Sequence, residues 1–203
     1  MKLYDGGRAP NPRRVRIFLA EKGISVPLVF IDINQMEHKT QEFAGLNPMQ
    51  RTPVLQLDDG TCIAESVAIC RYFEELYPDP PLMGRNPLEK AQVEMWQRRI
   101  ELNLFGPVAH VFRHLHPAMA NMEKPQIPAF AEANRPRVTE ALAVIDKALQ
   151  NRPFICGDEL TIADITGLVT LDFMKPAKLE IAPEFTNVLA WHQRLKARPS
   201  AAA

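Results

Sequence analysis

Two rhythms of apolar and polar residues run along this chain. Up to about residue 77, short apolar runs alternate with helical stripes. Beyond the prolines at 78–81, only helical periodicity remains. Leu3-Tyr4 predicts a short strand that stops at Gly6-Gly7. Pro10 and Pro12 suit the first turn of a helix, where a missing N–H costs little. Val15, Phe18, Leu19 and Lys22 recur at helical spacing, and Gly23 closes that segment. Leu28 to Ile31 predicts a buried strand, and Met36 to Leu46 a weak surface helix. Pro53 to Leu57, the turn Asp58-Asp59-Gly60 and Thr61 to Ile63 predict a hairpin. Glu65 to Tyr77 predicts an amphipathic helix with Val67, Cys70, Phe73 and Leu76 on one stripe.

The first part therefore reads βαβαββα. Tyr77-Pro78-Asp79-Pro80-Pro81 cannot continue a helix and predicts a linker. Helices alone follow. Pro87 to Leu115 predicts one long helix, kinked or divided at Gly106-Pro107. A second begins near Pro128 and runs toward Gln150. Thr161 to Met174, Pro183 to Val188 and Val188 to Ala197 hold the last elements. Thr161-Ile162-Ala163-Asp164 has the spacing of a capping box, in which Asp164 reaches back to the first backbone N–H. The expected class is α/β plus all-α. Residues 1–77 form the first domain, 78–87 the linker and 88–203 an all-helical domain.

Composition narrows the partners. Of 203 residues, 46% are hydrophobic, enough for a true core. Lys plus Arg and Asp plus Glu both total 24, so no cationic excess favours nucleic acid. No apolar run approaches the roughly 20 residues of a membrane helix, and none near the start resembles a signal peptide. The 3 cysteines, Cys62, Cys70 and Cys156, have no metal-like spacing and form no CxxC, which fits a reducing cytoplasm. His110 and His114 stand four apart with His116 near, but no further ligand set completes a zinc site. No metal is expected.

The order βαβαββα, linker, helices is also the layout of cytosolic glutathione transferases, and several motifs agree. Pro10 to Gly23 resembles that family's first helix. Asn47-Pro48-Met49-Gln50-Arg51-Thr52-Pro53-Val54-Leu55 resembles the approach to its third strand. Ala64-Glu65-Ser66-Val67-Ala68-Ile69 resembles the start of its glutathione-binding helix. Thr161 to Asp164 matches its C-terminal capping box, and Ala190-Trp191 to Ser200 its last helix and tail. The resemblance covers nearly the whole chain. It implies a thioredoxin-like first domain, glutathione as co-substrate, a small hydrophobic electrophile as second substrate, and a homodimer.

Each part of glutathione needs a different partner. A helix start at Glu65-Ser66 offers unpaired N–H groups and a positive dipole end, suited to the γ-glutamyl carboxylate. Ser66 adds a hydroxyl, and Glu65 can hold the neighbouring ammonium. The resemblance implies a cis Thr52-Pro53 bond that turns the Thr52 backbone toward the ligand as one rung of added strand. His38, Gln50, Arg51 and Lys39 are the candidates for the terminal glycyl carboxylate.

The sulfur poses a harder question. A thiol near pKa 8.5 is mostly protonated at neutral pH, and the thiolate is the nucleophile. Many classes of the family stabilise it with Tyr, Ser or Cys in the first loop, but that position here is Ala9. Three substitutes exist: the amide of Asn11, the N–H groups of the helix start, and the Tyr4 phenol. Asn11 with the helix terminus ranks first. Phe105 and Phe112 are candidates for the electrophile pocket. The resemblance implies conjugation of glutathione to an electrophile. Glutathione-dependent reduction of disulfides or peroxides, non-catalytic binding of glutathione or apolar ligands, and a purely structural subunit are the alternatives.

Overall fold

Strand β1 (Lys2–Asp5) pairs in parallel with β2 (Leu28–Phe30) and antiparallel with β3 (Val54–Gln56), which pairs antiparallel with β4 (Cys62–Ala64). The sheet order is β2-β1-β3-β4. The register sets Leu28, Leu3, Leu55 and Ile63 in one row across it. The computed structural model describes residues 1–203. A parallel pair needs a crossover, and helix α1 (Pro10–Glu21) supplies it. Gly23, at φ 66°, ends that crossover in the left-handed region.

Four expectations change here. The run at Leu28 is an edge strand, with Leu28 52% and Phe30 65% exposed. An apolar run reads alike for a buried and an edge strand, and only the strand order tells them apart. The stretch 36–46 is two pieces: a 3₁₀ turn (Glu37–Lys39) and α2 (Gln41–Leu46). Thr40 divides them by accepting the Phe43 N–H at 3.2 Å. In α3 (Ser66–Leu76) the buried face is Ser66, Ile69, Cys70 and Phe73, while Leu76 is 48% exposed. That face follows i, i+3, i+4, i+7 but starts on a polar residue, which an apolar count passes over. Finally, no separate element precedes α8 (Thr186–Lys196).

The helical remainder starts with α4 (Pro87–Ile100), where Asn86 caps the Glu89 N–H at 3.0 Å. A π-helical turn (Glu101–Phe105) leads into α5 (Gly106–Leu115). The backbone stays helical through Gly106, so Gly106-Pro107 does not break the helix. Instead the register widens just before Pro107, whose ring crowds the carbonyl four residues back. Helices α6 (Pro128–Ala148) and α7 (Ile162–Met174) complete the set with α8. Helix α7 is apolar on nearly every side and is correspondingly buried. A Cβ at Gly167 would lie 2.1 Å from the Trp191 ring, so glycine is required for that approach.

Asp164 ties this helix to its surroundings. It accepts the Thr161 N–H at 2.9 Å, the Thr161 hydroxyl at 2.9 Å, the Ile155 N–H at 2.8 Å and the Trp191 indole N–H at 2.9 Å. Helix α8 is capped from another helix: Asp146 accepts the Asn187 and Val188 N–H groups at 2.8 and 3.0 Å. The chain forms two compact units, Met1–Leu82 with Pro199–Ala203, and Met83–Arg198. The tail belongs to the first through Arg13 donating to the Ala201 carbonyl at 2.9 Å and Ser200 donating to Glu21. No helix is long and apolar enough to cross a membrane, and no group of three His, Cys, Asp or Glu is placed to hold a metal ion.

Candidate active site

The strand register brings distant motifs together. Val54 pairs with Ala64 and with Tyr4, so one step further Pro53 faces both Glu65 and Asp5. Residues 5–6, 52–53 and 65–66 therefore meet at one end of the sheet. Helices α1 and α3 both begin at that end, and both direct their positive termini toward it.

The first loop is packed closely against this end. A Cβ on Gly6 would meet the Thr52 hydroxyl oxygen at 2.3 Å, so only glycine lets the loop approach Thr52. Arg16 clamps the loop by donating to Asp5 and, at 3.0 Å, to the Gly7 carbonyl. Ala9 is the N-cap of α1 and offers no side-chain cap. Pro10 and Pro12 have no N–H, and the Arg13 N–H is bonded to Ala9. The helix start thus presents a single backbone donor, the Asn11 N–H. The Asn11 side chain is half-buried beside it. Tyr4 is not directed at this loop; its hydroxyl donates to Gln56 at 3.2 Å.

Thr52-Pro53 is cis. No hydrogen bond within the chain uses the Thr52 N–H or C=O. Glu65 sits at φ 67°, ψ 115°, a conformation a side-chain-bearing residue rarely adopts. Such strain clusters where a backbone is held for a ligand. Glu65 is exposed and Ser66, the first residue of α3, is buried. The Ser66 hydroxyl oxygen accepts from Arg14 at 2.6 Å, and the same Arg14 nitrogen donates to the Asn11 carbonyl oxygen at 3.0 Å.

Arg14 was not among the residues the sequence singled out. It is fully buried, although it stands in the basic run Arg13-Arg14-Val15-Arg16. Its spacing was the available signal: Arg14, Ile17 and Phe18 fall at i, i+3, i+4, the buried face of α1.

The carboxylate candidates lie on two segments that brace each other. The Gln50 amide donates to the Lys39 and Thr40 carbonyls at 3.2 and 3.4 Å, and Lys39 donates to the Gln50 carbonyl at 3.3 Å. Gln50 therefore spends both of its N–H donors inside the chain. His38 is buried, with its Nδ1 lacking a partner. Burial, and then the Lys39 charge, hold its pKa below the usual value, so it is neutral at pH 7. Arg51 is exposed, and its carbonyl accepts from Asn47 at 2.8 Å.

In the helical unit, Phe105 and Phe112 both face Phe173, with ring centroids 6.2 and 4.9 Å away, and His116 stacks on Phe112 at 4.6 Å. All four are half-buried. A separate cavity of about 700 Å³ is lined by Trp96, Arg99, Leu102, Arg137 and Val144 among others. The three histidines have local roles: His110 meets Asn134 at 3.4 Å, His114 accepts the Ile127 N–H at 3.1 Å and His116 the Ala118 N–H at 3.2 Å. The chain's own thiols are poorly suited to nucleophilic work. Burial pushes Cys70 far up and Cys156 up to about 11.

Comparison with known proteins gives a consistent result. The glutathione S-transferase N-terminal domain family matches residues 1–75, and the glutathione S-transferase C-terminal domain family matches residues 109–199. Glutathione S-transferase 2 of Saccharomyces cerevisiae is 38% identical over 98% of this chain and 87% of its own length. The crystal structure of Gtt2 from Saccharomyces cerevisiae superposes with a TM-score of 0.95 at 38% identity, covering 100% of this chain and 99% of that one. A glutathione S-transferase domain-containing protein of Marinobacter aquaeolei also gives 0.95 at 38% identity, covering 98% and 99%.

Proposed function

The chain belongs to the glutathione S-transferase family, and from that premise we propose how its residues carry the conjugation of glutathione to a small hydrophobic electrophile. The observation that carries the reading is the meeting of the Thr52 backbone and the Glu65-Ser66 helix start at one end of the sheet. The γ-glutamyl carboxylate docks on the N–H groups and hydroxyl at Ser66, and the Glu65 carboxylate takes the ammonium. The Thr52 N–H and C=O pair with the cysteinyl backbone. Lys39 and Arg51 supply charge for the glycyl carboxylate, with His38 and Gln50 shaping that end.

The sulfur then lies toward the start of α1. Its proton leaves to solvent, and the Asn11 amide and backbone N–H stabilise the thiolate by charge-assisted hydrogen bonds. The thiolate attacks the electrophilic carbon. A sulfur–carbon bond forms, and the leaving group departs with its electron pair. We assign residues 1–77 to glutathione, 78–87 to the linker and the helices from 88 onward to the electrophile, with Phe105 and Phe112 in its pocket; the tail 199–203, expected with the helical domain, instead packs with the first unit.

Two coarser features fit. Leu88, Met95 and Leu102 are exposed at every seventh position, a stripe suited to a second copy of this chain, and we propose a homodimer. Three free cysteines accord with a cytoplasmic setting. Ala9 favours a second reading, a glutathione-binding protein that turns over nothing.

Calorimetry with glutathione and a conjugation assay on an activated aryl halide separate the two. The expected result is binding plus conjugation, with Asn11→Ala raising the thiol pKa of bound glutathione. Binding without turnover of aryl halide or mixed disulfide selects the second reading. An unchanged thiol pKa and turnover in Asn11→Ala removes Asn11 from its role.

A further inference from the structure

Arg14 joins the two side chains just assigned to opposite ends of the ligand's γ-glutamyl-cysteine portion. One guanidinium nitrogen donates to Ser66 at 2.6 Å and to Asn11 at 3.0 Å. Arginine has donors and no acceptor. A hydroxyl beside it must accept, so the Ser66 hydrogen points elsewhere. An amide beside it must present oxygen, since nitrogen there would set donor against donor, so the Asn11 N–H₂ points away. Neither the Ser66 hydrogen nor the Asn11 N–H₂ finds an acceptor within the chain. The two outward donors border the same end of the sheet as the Thr52 backbone.

We propose that Arg14 is the positioning residue of the glutathione site, polarising Ser66 and Asn11 into donors directed at the carboxylate and at the sulfur. This rests on the reading of the site given above. Burial makes the arrangement rigid: Arg14 is 0% exposed, packed with Ile17 and Phe18 on the buried face of α1. Lys22, just past the end of α1, pairs with Glu74 of α3 at 2.7 Å, and the Arg14, Lys22 and Glu74 charges act on the buried Cys70 thiol.

Arg14→Lys keeps the charge, but its shorter side chain does not carry an N–H donor to the position of the guanidinium nitrogen that serves both oxygens. Its affinity for glutathione and for S-methylglutathione is expected to fall about tenfold, the loss of one charge-assisted hydrogen bond. The thiol pKa of bound glutathione, read by ultraviolet difference absorbance, is expected to rise. In a Ser66→Ala background the affinity loss from Arg14→Lys should largely vanish, because Arg14 acts through that hydroxyl. Additive losses, or an unchanged thiol pKa in a folded Arg14→Lys protein, overturn the proposal. Neutron diffraction of the unaltered protein with glutathione tests it without any variant. The Ser66 hydrogen should lie on the ligand carboxylate and the Asn11 amide hydrogens on the sulfur; any other acceptor for both overturns it. If the unaltered protein binds no glutathione, the functional reading and this inference fall together. If it binds and conjugates while Arg14→Lys behaves as wild type, only the inference falls.

Discussion

At the scale of single residues, buried polar groups decide the most. Asp164 is fully buried; burial pushes its carboxyl up while its four donors pull the other way. Removing it leaves the Ile155 and Thr161 N–H groups and the Trp191 indole without their acceptor. Asp164→Ala should cost on the order of 3–4 kcal/mol, read as a lower urea midpoint at unchanged slope. His38 gives a pH test. Its folded pKa lies below the unfolded 6.5, so its contribution is present above that value and lost as pH falls through it. Between about pH 7.5 and about pH 5.5, the wild type should lose more stability than His38→Gln. Equal losses in the two proteins would exclude a buried neutral His38. Gln97 is a similar buried polar group, accepting the Thr166 hydroxyl at 2.7 Å.

Elements here are set by how they meet as much as by their own sequences. Gly167 exists because α7 lies against the Trp191 ring. Gly167→Ala should destabilise by about 1–3 kcal/mol through overpacking. In a Trp191→Leu background the same change should cost clearly less, by a double-mutant cycle on denaturation. Helix α8 has no capping residue of its own and borrows Asp146 from α6. Asp146→Ala should therefore cost about 1–2 kcal/mol, as loss of a cap does elsewhere. The helix start at α1 shows the reverse, where local sequence is decisive: two prolines strip it to one N–H, whatever surrounds it.

For the molecule as a whole, the tail and the exposed stripe are informative. Residues 199–203 complete the first unit, with Ser200 buried and the Ala201 carbonyl held by Arg13. Truncation after Arg198 should lower the thermal midpoint while leaving the far-ultraviolet helical signal nearly intact, since the loss is a few hydrogen bonds and one short turn. Light scattering should report twice the 22.9 kDa chain mass, and Leu102→Glu on the exposed stripe should reduce it toward one. A mass of 22.9 kDa at working concentrations would refute the dimer.

The alternating order βαβαββα, the hairpin and the helical remainder were legible in the sequence. They depend on local periodicity and on turn residues, which neighbours along the chain impose. The capping box at Thr161 to Asp164 was legible from its spacing, whereas Thr52-Pro53 and Glu65-Ser66 stood out through the resemblance to the transferase family, which implied the cis bond that is present. Tertiary structure alone decided that Leu28 to Phe30 form an edge, that the buried face of α3 begins on Ser66, and that Asp146 caps a distant helix. It also decided that Arg14 is a buried part of the candidate site. These outcomes depend on which surfaces meet, and an arginine in a basic run reads the same whether it faces water or a serine hydroxyl fifty-two residues away.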